Sequence, residues 1–321
     1  MDIVSEILDI LSEGKPMSSK EITSELKYRG INLEDRTVRY HLKKMEIRGF
    51  LIKTSNGKRI ITNKGLEELK QASVSERLGE FSERIEYNAY FCNFDLYSLK
   101  GLVPTNLAIV NKDKFDAVID VLVQMGKFPF LISDLVAVSD EGETLGNLKI
   151  AEGKFGIATV SNTIYDVILR FAGVSVTPEF AGLLNCRRYE PQGFTELISY
   201  RGTTLSPGWL FLKSGLTSVL KCLKTGYGKI ITAVRSFSKY ALDTVRGEIK
   251  IAKLKGFGGI VGILHPSSRQ FSLPLRNRAR LIVSAGLNHI APLQELGFNP
   301  EIRVNEVFVE FSELKRVDKV Y

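Results

Sequence analysis

The chain has 321 residues, 44% of them hydrophobic and 25% charged, with a net charge of +8. That length suits two or three domains with a sizeable core, and three widely spaced cysteines, Cys92, Cys186 and Cys222, offer neither a disulfide framework nor a Cys-x-x-Cys metal or redox motif. The acidic start Met-Asp-Ile-Val-Ser-Glu and the lack of any apolar run near the ~20 residues of a membrane span argue against secretion and anchoring, so a reducing cytoplasm is the expected compartment.

Ile3, Ile7, Leu8 and Leu11 predict an amphipathic first helix that stops at Gly14 and Pro16. Ser18 or Ser19 caps a second, with Glu21 spaced to complete a capping box with Ser18, and Arg29-Gly30 ends it. A third helix opens at Glu34 and Asp35, acids that suit the positive end of the helix dipole, and closes at Gly49. Its apolar Val38, Leu42 and Met45 share one face. Arg36, Tyr40, Lys43 and Lys44 lie opposite, with Thr37 and Arg39 on the flanks. Two β-rich segments, 50–54 and 58–62, flank Ser55-Asn56-Gly57, and Asn-Gly is the strongest short hairpin signal; Lys53, Lys58 and Arg59 surround the tip.

Positive charge is concentrated here. Eleven basic residues face three acidic ones between Lys27 and Lys64, while residues 1–26 and 65–87 are both net acidic. Such clustering is either a solvated basic face or the footprint of a module that neutralises phosphates. The pattern decides for the second: Thr37 to Ile52, the Asn-Gly wing and Thr-Asn-Lys-Gly-Leu-Glu-Glu-Leu resemble prokaryotic winged-helix transcription regulators. Arg36, Thr37, Arg39, Tyr40, Lys43 and Lys44 are the expected groove contacts, and Lys53, Lys58 and Arg59 the wing contacts. His41 sits nearer the apolar stripe and reads as a packed or phosphate-touching residue.

From Leu66 to about Glu86 a charged stretch carries a thin stripe of Leu69, Leu78, Phe81 and Ile85. It is either a linker helix packed on its own domain or, as favoured here, a dimerisation helix between DNA-binding heads. The expected boundaries are a DNA-binding domain 1–66, a linker or dimerisation helix 67–87, and an effector region 88–321.

That last region contains an internal duplication. Leu107-Ala-Ile-Val110 precedes a helix with Phe115, Val118, Ile119 and Leu122, just as Lys229-Ile-Ile-Thr-Ala-Val234 precedes one with Tyr240, Val245 and Ile249. Further on, Thr177-Pro178-Glu179 and Phe194-Thr-Glu-Leu197 are echoed by Asn299-Pro300-Glu301 and Phe311-Ser-Glu-Leu314. Each half reads β, α, β, β, α, β. The expected fold class is therefore α+β, a winged helix-turn-helix followed by two ferredoxin-like lobes, about 88–203 and 204–321, each an antiparallel sheet with helices on one face and a ligand cleft between them.

The winged helix, the charged linker, and Gly-Leu-Val-Pro-Thr-Asn-Leu-Ala-Ile-Val, Val-Thr-Pro-Glu-Phe-Ala-Gly-Leu-Leu and Gly-Gly-Ile-Val-Gly-Ile-Leu-His-Pro-Ser together resemble the NrpR-type nitrogen-regulatory repressors of methanogenic archaea, over the whole chain. The resemblance implies repression of nitrogen-assimilation genes from palindromic double-stranded DNA operators, as a dimer or dimer of dimers, with release by 2-oxoglutarate as effector and no cofactor. Some members carry two effector domains behind one winged helix and only one fits here. The partner is accordingly a second copy or a separate effector-domain paralogue.

No catalytic or metal constellation stands out. His41, His265 and His289 are far apart, and no Gly-x-Ser-x-Gly or phosphate-loop motif occurs. Lys255-Gly-Phe-Gly-Gly-Ile-Val-Gly262 follows a helix and leads into a strand, the reverse of a dinucleotide fingerprint, so it reads as a tight turn. A dicarboxylate effector needs clustered arginines with nearby hydroxyls. Three loops qualify: Arg187-Arg188; the connector with Arg201, Thr203, Thr204 and Ser206, favoured because a Gly-Thr-Thr backbone approaches an anion closely; and His265-Pro-Ser267 with Arg276 and Arg278. Trp209 reads as packing. The competing reading is a metabolic enzyme or small-molecule-binding protein whose winged helix mediates protein–protein contact.

Overall fold

A computed structural model describes residues 3–72, 74, 77–274 and 277–320; it is a mixed α+β protein whose chain divides into two compact units, Met1–Leu78 and Gly79–Tyr321. The first holds α1 (Ile3–Leu11), α2 (Ser19–Tyr28), α3 (Asp35–Ile47), the antiparallel pair β1 (Leu51–Lys53) and β2 (Arg59–Ile61), and α4 (Asn63–Ala72). The apolar stripes of α1, α2 and α3 meet in one core of Ile7, Leu8, Leu11, Ile22, Leu26, Val38, Leu42 and Met45. Ser18 is the cap of α2. Its hydroxyl accepts from the Glu21 N–H at 3.3 Å and its own N–H donates to the Glu21 carboxylate at 2.6 Å. Those bonds from Ser18, helped by Lys58, hold the exposed Glu21 carboxyl down at about 2. The turn joining β1 to β2 passes through Gly57 at φ +80°, as an Asn-Gly hairpin requires.

The single helix expected across 67–87 is two helices assigned to different units. α4 packs Leu69 on the first core, whereas α5 (Glu80–Phe91) buries Phe81 and Ile85 in the second unit. Between them Gly79 caps α5 at φ +85°, and Leu78, counted on the apolar stripe, is exposed. The i, i+4 pair Phe81 and Ile85 is spent on internal packing rather than on a free stripe.

The second unit continues with β3 (Leu102–Asn111), α6 (Phe115–Met125), β4 (Leu135–Ser139), the short hairpin β5 (Thr144–Leu145) and β6 (Leu148–Lys149), β7 (Lys154–Val160), α7 (Ile164–Phe171), β8 (Val176–Arg187) and β9 (Glu190–Ser199). Then come α8 (Pro207–Lys213), α9 (Val219–Thr225), β10 (Gly228–Phe237), α10 (Leu242–Leu254), β11 (Ile260–Leu264), β12 (Ala279–Ser284), α11 (Ala291–Glu295), β13 (Glu301–Glu310) and β14 (Lys315–Arg316). These strands build two antiparallel five-stranded sheets, ordered β13-β3-β7-β4-β14 and β11-β12-β10-β8-β9.

Neither half closes its own sheet. β8, the last strand expected in the first half, pairs with β10 of the second, and β13, the last of the second, pairs with β3 of the first. The expected lobes 88–203 and 204–321 thus interlock. Both terminal strands present the same backbone donors and acceptors, so element order alone does not decide which first strand each joins. Equivalent threonines mark the exchange: Thr105 donates to the Val307 carbonyl and Thr232 to the Gly182 carbonyl, each directly across from its partner on the exchanged strand.

The expectation of helices on one face also changes. Along β3, Ala108 and Val110 face a core shared with α6, α8, α9 and α11, while Leu107 and Ile109 face one shared with α7 and α10. Covered on both sides, the central strands β3 and β10 are buried at consecutive positions instead of alternating ones, their Thr, Asn, Arg and Ser included.

Candidate nucleic-acid interface and anion pocket

In the first unit Val38, Leu42 and Met45 point α3 inward, which leaves Arg36, Arg39, Tyr40, Lys43 and Lys44 exposed and Thr37 half-buried. They differ in how committed they already are. Arg39 pairs with Asp35 one turn earlier, and the Lys44 ammonium sits 4.4 Å from the centre of the Tyr40 ring. Arg36, Lys43 and Lys53 carry no ion pair among the described residues and are available to an anionic partner. The other two hairpin cations are tied more firmly. Arg59 donates to Glu46 at 2.8 Å and to the Gly57 carbonyl, with its side chain largely covered, and Lys58 reaches Glu21 at 3.2 Å. Arg59 therefore braces the hairpin against α3. His41 is half-buried, its ring edge-on to Tyr40 at 5.7 Å.

The effector candidates scatter, with one exception. Arg187 and Arg188 stand at the β8–β9 hairpin tip, where Arg188 takes φ +53° and donates to the Tyr227 hydroxyl. His265 bonds Ser267 within its own loop at 2.8 Å. Thr203 donates to the Leu205 carbonyl, Ser206 caps α8 by accepting from the Trp209 N–H, and Thr204 is half-buried in the same loop. Trp209 packs against the core, and Arg276 lies outside the described residues.

The exception is Arg201 with Arg278. Loops 77 residues apart in sequence meet at one pocket of about 320 Å³, also lined by Thr177, Glu179, Ser199 and Ser236. β8, β9, β10 and β12 lie side by side in the second sheet, so the pocket owes its existence to the β8–β10 pairing. Arg278 donates to the Ser236 hydroxyl at 3.2 Å and to its carbonyl at 3.3 Å. Behind it, buried Arg280 donates to Glu179 at 2.7 Å, while its Nη2 has no hydrogen-bond partner among the described residues. Arg280 pairs with Glu179, and among the described residues Arg201 and Arg278 are cations without an ion pair. Thr177, Glu179, Ser199 and Ser236 were not anticipated from sequence. Pro178 was the available signal, because a proline inside a strand marks a bulge, and here the register skips Glu179 between Phe180 and Pro178.

A second buried charge pair adjoins this region. Arg235 of β10 donates from Nε to Asp166 of α7 at 2.9 Å, and its guanidinium lies 5.3 Å from the Tyr200 ring centre. Burial pushes the Asp166 carboxyl up against the opposing pull of Arg235, whereas Arg235 stays charged because the attraction of Asp166 and Tyr200 outweighs its own burial. The cysteines are withdrawn from solvent, and the hydrogen bond from Cys186 lowers the Cys222 thiol. All three are buried, burial pushes the Cys92 thiol up to about 12, and a hydrogen bond to Cys222, with burial, raises that of Cys186.

The chain thus joins an interlocked α+β unit with an arginine-lined pocket to a small helical unit with a basic helix and hairpin. Residues 78–316 match the family described as NrpR regulatory domains NRD1 and 2, and residues 5–69 match a ribonuclease R winged-helix domain. The chain belongs to the NrpR family of nitrogen regulators. It is 30% identical to the global nitrogen regulator NrpRI of Methanosarcina mazei, over 97% of both chains. The global nitrogen regulator NrpR of Methanococcus maripaludis is 24% identical over 98% of this chain, which spans 55% of that protein. In fold, a nitrogen repressor-like protein from Methanococcus jannaschii superposes with a TM-score of 0.61 at 19% identity, covering 74% of this chain and 97% of that one. No helix among the described residues is long and apolar enough to cross a membrane.

Proposed function

We propose that this chain is a cytoplasmic DNA-binding repressor of nitrogen-assimilation genes, in which the first unit acts as a winged helix and the second as a duplicated ferredoxin-like sensor that releases the operator when it binds 2-oxoglutarate. The observation that carries the reading is the exposed cationic face of α3, with Arg36 and Lys43 free of ion pairs among the described residues, in a chain whose other unit is an NrpR regulatory domain. Such a face neutralises phosphates, while Thr37 and Tyr40 reach base edges. One winged helix offers few base contacts, so the working form is a homodimer or dimer of dimers on a palindromic site, or a pairing with an effector-domain paralogue.

Effector control follows from linkage: 2-oxoglutarate weakens DNA binding only if it binds the DNA-free arrangement more tightly. A mobility-shift titration on an upstream region of a nitrogen-assimilation gene tests this. Binding should be tight without the metabolite and weaken as it is added; a saturating dose that leaves affinity unchanged removes the sensing role, and no binding at low salt removes the DNA-binding role.

A further inference from the structure

We propose that the pocket between β8, β9, β10 and β12 is the anion site, that it takes a short dicarboxylate with one carboxylate on Arg201 and the other on Arg278, and that Arg201 conveys occupancy to Gly79 at the start of the second unit. This rests on the effector-release reading and adds to it where the effector binds and how binding leaves the pocket.

Charge selects the ligand class. Glu179 is engaged by Arg280, and among the described residues Arg201 and Arg278 at the lining have no ion pair, so a dianion suits them. Guanidinium groups recognise carboxylates through paired N–H donors, and the hydroxyls of Thr177, Ser199 and Ser236 supply bonds between the two ends. A volume of about 320 Å³ lies at the small end of ligand pockets and has room for a short dicarboxylate.

Geometry supplies the route out. Tyr200, beside Arg201, stacks on Phe81 of α5 with ring centres 6.0 Å apart. The Gly79 N–H donates to the Thr203 carbonyl at 3.0 Å, and a Cβ built on Gly79 would meet the Arg201 backbone at 3.6 Å. Arg201 thus stands in a five-residue segment, 199–203, that lines the pocket with its side chains and holds the first turn of α5 with its backbone. Glu86 of α5 also feels the Arg201 charge, so an anion that draws Arg201 into the pocket draws it from that helix. Gly79 directly follows Leu78, the last residue of the DNA-binding unit.

Calorimetric titration of the full chain with 2-oxoglutarate, and with succinate as a second dicarboxylate, tests the site. R201Q and R278Q should each weaken binding roughly ten- to a hundredfold, the loss expected for one charge-assisted contact, whereas R188Q at the hairpin tip should bind as wild type. For the route, F81L, with folding checked by circular dichroism, should keep wild-type affinity for 2-oxoglutarate within about twofold but lose most of its effect on DNA affinity. If R201Q and R278Q bind and respond like wild type, the pocket assignment is overturned while effector release stands. If wild type binds 2-oxoglutarate with both arginines required and DNA affinity does not change, the release reading falls and the pocket stands. An F81L chain that responds fully overturns the route, and a wild-type chain that binds neither dicarboxylate overturns site and release together.

Discussion

Arg235 and Asp166 form an ion pair that is almost wholly out of water, its Nε reaching both carboxylate oxygens at 2.9 and 3.2 Å. Arg235 lies in β10 and Asp166 in α7, so the pair is an electrostatic tie between the second sheet and a helix 69 residues earlier in the chain. D166N strands a buried guanidinium and should cost about 3–5 kcal/mol, read as a lowered urea midpoint. The apolar double variant D166L/R235M should recover much of that loss, because it removes the stranded charge as well as the pair. An unchanged midpoint in D166N would show that the tie contributes nothing.

Stability should fall with acid through His289. The ring is buried, its Nε2 lacks a hydrogen-bond partner among the described residues, and burial lowers it from 6.5 to about 4 despite a bond with the Leu122 backbone. Between those values the unfolded chain binds the proton and the folded one does not, so stability is full above 6.5 and is lost as pH falls toward 4. From pH 7.5 to pH 5 the contribution of this one group is about 2 kcal/mol. Urea unfolding at the two pH values should show a steeper loss for wild type than for H289L; equal slopes refute the assignment.

The cations of the first unit should separate into two kinds. Lys43 and Lys44 are exposed, so K43A/K44A should lower the slope of log affinity against log salt by roughly 2, one for each phosphate contact removed. Arg59 is bound to Glu46 and the Gly57 carbonyl, so R59A should loosen the hairpin and lower the melting temperature with little change in that slope. A slope that shifts equally in both variants contradicts this division.

Much of the first unit was legible in the sequence because its signals are local. The capping box at Ser18, the i, i+4, i+7 spacing of α3 and the Asn-Gly turn each span a few residues, and each is observed. The second unit was legible as an order of elements and not as a pairing. Nothing near Val176 or Glu301 states that β8 crosses to β10 and β13 to β3, since strand partners are chosen by long-range packing. The pocket followed suit. Arginines with hydroxyls pointed to Arg201 and Arg278 separately, but only the exchange brings them together, while Thr203 and Ser206 are engaged within their own loop and Arg188 by the distant Tyr227.

Thiol chemistry offers an independent check on core packing. With Cys92, Cys186 and Cys222 all buried, the native chain should show no thiol reacting rapidly with an aromatic disulfide reagent at neutral pH, and three after unfolding in guanidinium. A fast native thiol places at least one of them at the surface.

The exchanged strands also set when the protein can fold. β3 ends at Asn111 and its partner β13 does not begin until Glu301, so the first sheet stays open along one edge until nearly the whole chain has left the ribosome. Until then the emerging polypeptide carries an unpaired edge of Val, Ile and Leu, a standing invitation to the wrong neighbour. A chain cut between residues 203 and 204 separates β8 from β10 and β3 from β13 and completes neither sheet, so the two fragments should be insoluble apart and recover structure only when made together.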